Sequence, residues 1–185
     1  MGELSRQANE SNLSGEVPTE PVDVNLLIKD ILAAVNGPEC RPTFSPGLEV
    51  PVLQLKREAI KQVLLNLILN ARQAIQGQGT IDISTAYDGK QVIVELVDTG
   101  GGMSAAQLEN IFQPFKSSKK NGLGVGLFQC KRIVEDHHGV IHIESQEGRG
   151  TTVIITFPVE SADNASTSVF GVSPVGVEYD SRRNK

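Results

Sequence analysis

The sequence predicts an α/β (α+β) two-layer sandwich, in which a mixed, mostly antiparallel sheet of about five strands carries three main helices on one face. Two observations predict this fold. Long helical patterns separate short β-rich runs, and two of the β-rich runs follow each other directly, joined only by Asp88-Gly89-Lys90. A doubly wound parallel sheet requires a helix between successive strands, so the adjacent runs argue against it.

Length and composition predict one globular domain with flexible ends. The chain has 185 residues, of which 39% are hydrophobic and 21% are charged. Residues 1–20 are polar and predict a linker, whereas residues 21–159 contain the apolar periodicity of a folded domain. Residues 160–185 mix Ser, Asn, Gly and Pro, which predicts a disordered tail.

Apolar spacing and turn residues predict the elements of the domain in order. Residues 24–35 have helical spacing that stops at an Asn-Gly-Pro turn, and residues 48–55 alternate as a strand does. A long helix over residues 56–75 precedes the hairpin formed by residues 80–87 and 91–98. A short helix, a glycine-rich loop, a further helix and two strands complete the domain, over residues 104–111, 112–126, 127–137, 140–145 and 151–157.

The charge and cysteine content exclude several classes of partner. A formal net charge of -5 gives no broad basic surface for nucleic acid or for an anionic membrane. No apolar run approaches the roughly 20 residues that cross a bilayer, so we expect no direct membrane insertion by this chain. Cys40 and Cys130 lack metal-site spacing and follow no secretory leader, which predicts two free thiols in a cytoplasmic protein. A longer parent protein that contains this chain is compatible with a membrane anchor.

Two side-chain amides mark the long helix. The helix is apolar almost all round, with Leu69 outside its main apolar face, which predicts burial on most sides. Asn66 and Asn70 are four residues apart on a stripe shared with Gln62 and Gln73. Two interpretations are open: the amides bond to neighbouring backbone, or their oxygens face a cleft and ligate a hard cation such as Mg²⁺.

Asp98 ends a predicted strand and is followed by Gly100, Gly101 and Gly102. An unpaired anion is costly in an apolar environment, so the carboxylate needs hydrogen-bond donors. In one interpretation the glycines admit a flat ligand, and the carboxylate accepts from an exocyclic amine such as that of adenine. In another, an Asp-Thr-Gly turn bonds the carboxylate to its own loop. Asp-Thr-Gly is also the aspartic protease signature, but those enzymes need two such carboxylates and this chain has one such triplet.

Three glycines precede the helix of residues 127–137, namely Gly122, Gly124 and Gly126. The first amides of a helix, together with its dipole, form an anion site, but this spacing fits neither the dinucleotide fingerprint nor a P-loop. The preceding segment carries three lysines, Lys116, Lys119 and Lys120. These lysines either close over phosphates as a lid or belong to a solvated loop.

Five motifs in order resemble the catalytic, ATP-binding domain of two-component sensor histidine kinases, within the superfamily that includes gyrase, Hsp90 and MutL ATPases. The sequences LLNLILNARQAI, DTGGGM, IFQPF, GLGVGL and GRGTTVIITFP resemble its N box, first glycine box, F box, second glycine box and closing strand. The resemblance extends from about residue 21 to residue 158 and implies the Bergerat fold with an ATP lid. One motif alone is weak, whereas five in this order are specific.

The resemblance implies ATP and Mg²⁺ as ligands and a role for each matching residue. Asn70 matches the asparagine that ligates Mg²⁺ and Asn66 the asparagine at the phosphate site, and both are expected to be catalytic. Asp98 matches the acid that recognises the adenine amine, and Thr151 matches the hydroxyl at the adenine end. The other ATP-binding residues that the resemblance implies are Gln73, Gly100, Gly102, Met103, Lys116, Lys119, Gly122, Leu123, Gly124, Val125, Gly126 and Leu127.

Two departures from the family pattern bear on the chemistry. The superfamily members that hydrolyse ATP have a glutamate where this chain has Asn66, and a neutral amide does not take a proton from water. The resemblance therefore implies a kinase that holds ATP for another nucleophile. Family members often have a basic residue at the position of Gln73, and Arg72 is about 100° away around the helix. The negative charge of the phosphates is then expected to be neutralised mainly by the lid, chiefly by Lys116 and Lys119.

The phosphoacceptor is expected on another domain. The family phosphorylates a histidine on a dimerising helical hairpin, and its His-Glu-x-x-Asn-Pro motif is absent here. His137, His138 and His142 are predicted at a helix end and on a strand surface. We expect the chain to be part of a longer kinase, with the dimerisation/histidine phosphotransfer domain as its partner and a response regulator receiver domain as an indirect partner. The isolated domain is expected to be a monomer that binds no nucleic acid.

Two alternatives to a sensor kinase remain at this stage. The first is an anti-sigma-factor-like serine kinase, which is a small stand-alone domain of the same superfamily. The second is a nucleotide-binding interaction module without catalytic activity. The F box and the run into GLGVGL are more similar to those of sensor kinases than to those of anti-sigma-factor-like kinases. The presence of both asparagines, Asp98 and the glycines argues against the interaction module, because it favours an intact nucleotide site.

Overall fold

The computed structural model describes residues 17–35, 42–75, 77–114 and 125–159. The strands are β1 (Glu20–Val22), β2 (Thr43–Ser45), β3 (Leu53–Leu55), β4 (Ile81–Tyr87), β5 (Gln91–Asp98), β6 (Val140–Gln146) and β7 (Gly150–Pro158). The helices are α1 (Val24–Ala34), α2 (Arg57–Ala74), α3 (Ala105–Leu108) and α4 (Gly126–Glu135).

The main sheet has the strand order β2-β4-β5-β7-β6. Its neighbouring strands are antiparallel except for β2 and β4, which are parallel. β1 and β3 form a separate two-stranded antiparallel sheet. The predicted fold class is therefore confirmed as a mixed, mostly antiparallel sheet that packs with helices.

The predicted hairpin at Asp88-Gly89-Lys90 joins β4 and β5. Asp88 Oδ1 accepts hydrogen bonds from the backbone N–H groups of Gln91 at 2.8 Å and Lys90 at 2.9 Å. These bonds lower the pKa of the Asp88 carboxyl, that from Gln91 most strongly. Gly89 has a φ of 90°, which explains the glycine at the tip of the turn.

The inward-facing residues of β5, β7 and β6 are aligned in rows across the sheet. Two rows are apolar and buried, formed by Leu96, Val153 and Ile143 and by Val94, Ile155 and Ile141. The next row, at the end of the strands, consists of Asp98, Thr151 and Ser145. The apolar face of the sheet therefore ends in a row of polar side chains, which we call the polar row.

α2 forms the centre of the helical layer. Its buried residues, three or four positions apart, are Ile60, Val63, Leu64, Leu67, Ile68 and Ala71. α1 and α4 both contact α2. Asp23 is the N-cap of α1, and its side chain accepts a hydrogen bond from the backbone N–H of Leu26 at 3.0 Å. The sheet and the three helices thus share one core.

The strand predicted over residues 48–55 is wrong for most of its length, because only Leu53–Leu55 is a strand. Leu48 and Glu49 form a turn, in which Glu49 has a φ of 58°. Pro51 has no backbone N–H to donate to a sheet. The three-residue strands β1 and β2 were not predicted, since such short segments give no periodic pattern.

One helix is shorter than predicted. The helix predicted over residues 104–111 is regular only at Ala105–Leu108, and turns continue to Gln113. The expected burial of the long helix on most sides is confirmed, because its exposed residues form one stripe and its other residues are buried or half-buried. The stripe consists of Glu58, Gln62, Leu69 and Gln73. No helix within the described residues has the length and apolar character needed to cross a membrane.

Gly102 is required where the loop after β5 passes close to β6. Its φ is 63°, and a Cβ at this position would lie against the carbonyl oxygen of Gln146. Gly148 has a φ of 76°, but a Cβ there would meet nothing within 4 Å. We predict that Gly102→Ala lowers the free energy of unfolding by about 3 kcal/mol or more, against about 1 kcal/mol for Gly148→Ala. Urea denaturation measures both values, and equal losses would contradict the predicted clash.

Candidate functional site

Asp98 lies at the end of β5, in the polar row. The residue is 4% exposed, and its Oδ1 accepts a hydrogen bond from the backbone N–H of Gly100 at 2.8 Å. Burial raises the pKa of the Asp98 carboxyl, while the backbone N–H groups of Gly100 and Thr151 oppose that shift. An ionised carboxylate accepts about four hydrogen bonds, so the bond to its own loop leaves acceptor capacity for a ligand. The turn and the ligand interpretations of Asp98 are therefore compatible.

Thr151 is the neighbour of Asp98 in the polar row. It pairs with Asp98 on one side and with Ser145 on the other. Its Oγ1 lies 3.0 Å from Ser145 Oγ, which donates to the Gly150 carbonyl at 2.9 Å. The two residues predicted at the adenine end thus lie together on adjacent strands.

The loop after β5 is held between α2 and the turn that joins β6 and β7. Gly101 donates its N–H to the Ala74 carbonyl at 2.9 Å, and its own carbonyl accepts from the Gly148 N–H at 2.8 Å. A Cβ at Gly100 would lie 2.7 Å from the Ala74 carbonyl carbon, so contact with α2 requires glycine there. The structure gives Gly100 a packing role, and the close approach of adenine to the loop stays a prediction.

Asn66 and Asn70 lie one turn apart on α2, and both are half-buried. Asn66 Nδ2 lies 3.8 Å from Cys130 Sγ, and Cys130 is one turn into α4. Asn70 is one turn before Ala74, which holds the glycine loop. Gln73 is exposed in the last turn of the helix. The two amides are therefore placed between the glycine loop and the start of α4.

α4 begins at Gly126, with Val125 as its N-cap. Val125 supplies no side-chain acceptor to the first turn, and the amides and dipole of that turn favour an anion. Met103 and Leu127 are half-buried and pack against the hydrophobic core. The predicted site residues outside the described part of the chain are Lys116, Lys119, Gly122, Leu123 and Gly124.

Phe112 fixes the segment that precedes the predicted lid. Its ring is partly buried against the core, and Lys131 Nζ of α4 lies 5.2 Å from the ring centroid. A cation at this distance from an aromatic face is weakly attracted to it. Phe112 thus lies beside the same helix whose first turn is the predicted phosphate site.

The arrangement has an order that suits a nucleotide. Hydrogen-bond acceptors occupy the polar row, amide oxygens follow on α2, and helix N–H groups lie at the start of α4. Among the described residues no group of three His, Cys, Asp or Glu side chains is placed to hold a metal ion. A cation here would therefore depend on amide oxygen, phosphate and water, a ligand set that suits Mg²⁺.

A comparison with protein families identifies the domain. Residues 55–161 match the family described as "Histidine kinase-, DNA gyrase B-, and HSP90-like ATPase", and this match covers more than half of the chain. The chain belongs to this ATPase family. Its members bind ATP, so the domain is an ATP-binding domain.

Two curated relatives of this ATPase-family chain are named as kinases. Sensor histidine kinase ZraS of Escherichia coli (strain K12) is 39% identical over 144 residues, which are 76% of this chain and 31% of ZraS. Sporulation kinase D of Bacillus subtilis (strain 168) is 44% identical over 115 residues, which are 62% of this chain and 23% of that kinase. This chain thus spans less than a third of the length of these relatives.

Solved structures of kinase domains have the same fold. The catalytic domain of the histidine kinase ThkA gives a TM-score of 0.66 at 29% identity, covering 77% of this chain and 96% of that chain. The histidine kinase domain of the Escherichia coli osmosensor EnvZ gives 0.64 at 25% identity, covering 88% and 99%. A complex of ThkA with the response regulator protein TrrA gives 0.62 at 28% identity, covering 76% and 41%.

Arg72 and His137 have structural contacts in this ATPase-family domain. Arg72 Nη1 donates to the Val35 carbonyl at the end of α1 at 2.8 Å, so its guanidinium is directed to α1. His137 Nε2 accepts from the Lys56 N–H at 2.9 Å, and His137 Nδ1 lies 2.6 Å from the Ile133 carbonyl. His137 is therefore at a helix end, as predicted, and both of its ring nitrogens have partners within the fold.

Sequence patterns did not identify Ser145 and Cys130 as neighbours of the site. Ser145 follows the alternation of Ile141 and Ile143, which was the available signal that it faces inward. Its pairing with Thr151 depends on the register of β6 with β7. The approach of Cys130 to α2 depends on how two helices pack, which a single sequence does not show.

Asp98 makes the stability of the domain depend on pH. Because burial raises its pKa above the ordinary 3.8, the folded state binds this proton more tightly than the unfolded chain does. The stability that the proton gives is fully present below pH 3.8 and is lost as the pH rises through the raised pKa. We predict that urea denaturation over this window shows the loss for the wild type and not for Asp98→Asn. Parallel curves for the two proteins would contradict the raised pKa.

Cys130 is predicted to be unreactive in the folded protein. It is 0% exposed, and burial raises the pKa of its thiol to about 11. A Cys40→Ser variant leaves this thiol as the one cysteine of the sequence. We expect iodoacetamide at about pH 8 to label that variant in urea and not in its native state, as mass spectrometry will show. Rapid labelling of the native variant would mean that α4 separates from α2.

Proposed function

We propose that this chain binds Mg²⁺ and ATP and donates the γ-phosphoryl group to a histidine on a separate dimerisation and phosphotransfer domain. It would be the catalytic part of a two-component sensor kinase, with its catalytic unit at residues 21–159. The observation that carries the proposal is the buried Asp98 carboxylate, placed beside Thr151 where the apolar sheet face ends. An acid kept in such a place supplies an acceptor for an amine, and adenine has an exocyclic amine.

The triphosphate is assigned to the other end of the site. Asn66 and Asn70 lie between the glycine loop and α4, whose first N–H groups favour phosphate oxygens. Asn70 would supply an amide oxygen to Mg²⁺, with phosphate and water completing the ligands. Bound Mg²⁺ would neutralise charge on the phosphates, while Asn66 and the α4 amides hold them in position.

The amide at position 66 supports transfer rather than hydrolysis. An amide does not act as a general base toward water, and the Asn66 Nδ2 is directed to Cys130. We infer that ATP is held until an external nucleophile arrives. Phosphoryl transfer then needs positioning and charge neutralisation, which the amides and the start of α4 provide.

The acceptor histidine is assigned to a partner domain. His137 has partners for both ring nitrogens, and His142 alternates with the inward Ile141 and Ile143, so it lies on the opposite face of the sheet from Asp98. The names of ZraS and ThkA support a histidine as acceptor. The ThkA complex with a response regulator protein supports a receiver domain as the indirect partner. A cytoplasmic location fits these partners.

Titration calorimetry with a non-hydrolysable ATP analogue tests the nucleotide site. We predict that Asp98→Asn weakens binding of the analogue by about tenfold or more. Asparagine lacks the negative charge of aspartate, and its NH₂ group is a donor that forms no hydrogen bond with the adenine amine. Asp82→Asn, exposed on β4, should leave the affinity unchanged. Asn70→Ala should remove the Mg²⁺ dependence of binding, whereas Gln62→Ala, exposed on the same helix, should retain it.

Two results would overturn the proposal. A wild type that binds no analogue at about millimolar concentration would exclude a working nucleotide site. If it binds, the dimerisation domain is added in trans with radiolabelled ATP, and label is expected on histidine, as an acid-labile phosphate. Label on a serine would instead favour the serine-kinase alternative.

A further inference from the structure

The polar row contains one residue that the proposed function does not use. Ser145 on β6 is half-buried and faces Thr151, which separates it from Asp98. The row therefore runs from the carboxylate through one hydroxyl to another across three adjacent strands. Ser145 itself is two strands away from Asp98, so any effect on a ligand at Asp98 acts through Thr151.

The hydrogen bonds of Ser145 determine which way the Thr151 proton points. Ser145 Oγ donates to the Gly150 carbonyl at 2.9 Å, and a carbonyl only accepts. A serine hydroxyl has one proton, so the 3.0 Å contact between the two hydroxyl oxygens has Thr151 as the donor. The Thr151 oxygen is then left with lone pairs alone for any further partner.

We propose that Ser145 is a positioning residue that makes the base-binding end of the site accept hydrogen bonds only, and that this selects 6-amino over 6-oxo purines. The inference rests on the proposed nucleotide site. With the Thr151 proton given to Ser145, both Asp98 and Thr151 offer acceptors to the base or to a water beside it. Adenine presents an amine there, whereas hypoxanthine and guanine present a carbonyl oxygen. Two acceptors opposite a carbonyl leave it without a donor.

The experiment compares the affinities of ADP and of IDP, inosine diphosphate, whose base is hypoxanthine. The two nucleotides share the sugar and phosphates, and neither is a phosphoryl donor in the proposed reaction. In Ser145→Ala the Thr151 hydroxyl is released, and it can rotate and donate to the 6-oxo group. We predict that the ratio of ADP to IDP affinity falls about three- to tenfold, the worth of one hydrogen bond. Ser145→Thr keeps the hydroxyl and should keep the ratio. Ser84→Ala, on β4, should also keep it.

A second variant separates positioning from a general loss of structure. Thr151→Val removes the hydroxyl and keeps a side chain of similar shape, which strands favour. It should also lower the ratio of ADP to IDP affinity, because the acceptor beside the adenine amine is lost. Adding Ser145→Ala to Thr151→Val should change the ratio no further, because Ser145 acts through that hydroxyl. This comparison remains informative if Ser145→Ala is unstable, since Thr151→Val alone must lower the ratio.

The outcomes distinguish the inference from the function on which it rests. If the wild type binds ADP and the ratio is unchanged in Ser145→Ala or in Thr151→Val, Ser145 has no positioning role and the nucleotide site stands. If the wild type binds neither nucleotide, the proposed function fails, and the inference fails with it.

Discussion

The packing of α2 against the inner face of the five-stranded sheet is the contact on which the rest of the structure depends. The buried side of this helix meets β5 and β4 of the sheet, and both neighbouring helices contact it. The same helix carries Asn66 and Asn70, and its last residue, Ala74, holds the loop after β5. A shift of α2 along the sheet would therefore disturb the core and the site together. This coupling explains why half-buried amides are found on the principal core helix.

The polar row contains a side chain whose burial destabilises the folded state. Asp98 occupies a position where the row pattern would otherwise give an apolar residue, and desolvation of its carboxyl raises its pKa. The backbone N–H groups of Gly100 and Thr151 reduce that cost by opposing the rise in pKa. Local departures of this kind from the pattern of a stable core are expected at functional sites. We propose that a nucleotide base uses the remaining acceptor capacity of this carboxylate.

The period of the apolar residues made the main helix and the central strand of the fold predictable from the sequence. The spacing of α2 and the apolar run that ends at Asp98 predicted the main helix and the central strand with Asp98 at its end, because side-chain direction follows from the period of each element. The strand order and the row that joins Asp98, Thr151 and Ser145 were not predictable in the same way, since register between strands distant in sequence is decided by tertiary packing. The exposure of Leu69 was not predictable either, because an apolar residue gives no sign of which neighbouring element covers it.

The most direct test is a crystal structure of the chain with Mg²⁺ and a non-hydrolysable ATP analogue. We predict that the adenine amine lies within hydrogen-bond distance of the Asp98 carboxylate, directly beside Thr151. Mg²⁺ should contact the amide oxygen of Asn70, and the phosphates should lie at the start of α4. A nucleotide whose base lies away from Asp98, or whose metal ion has no contact with Asn70, would contradict the proposed site.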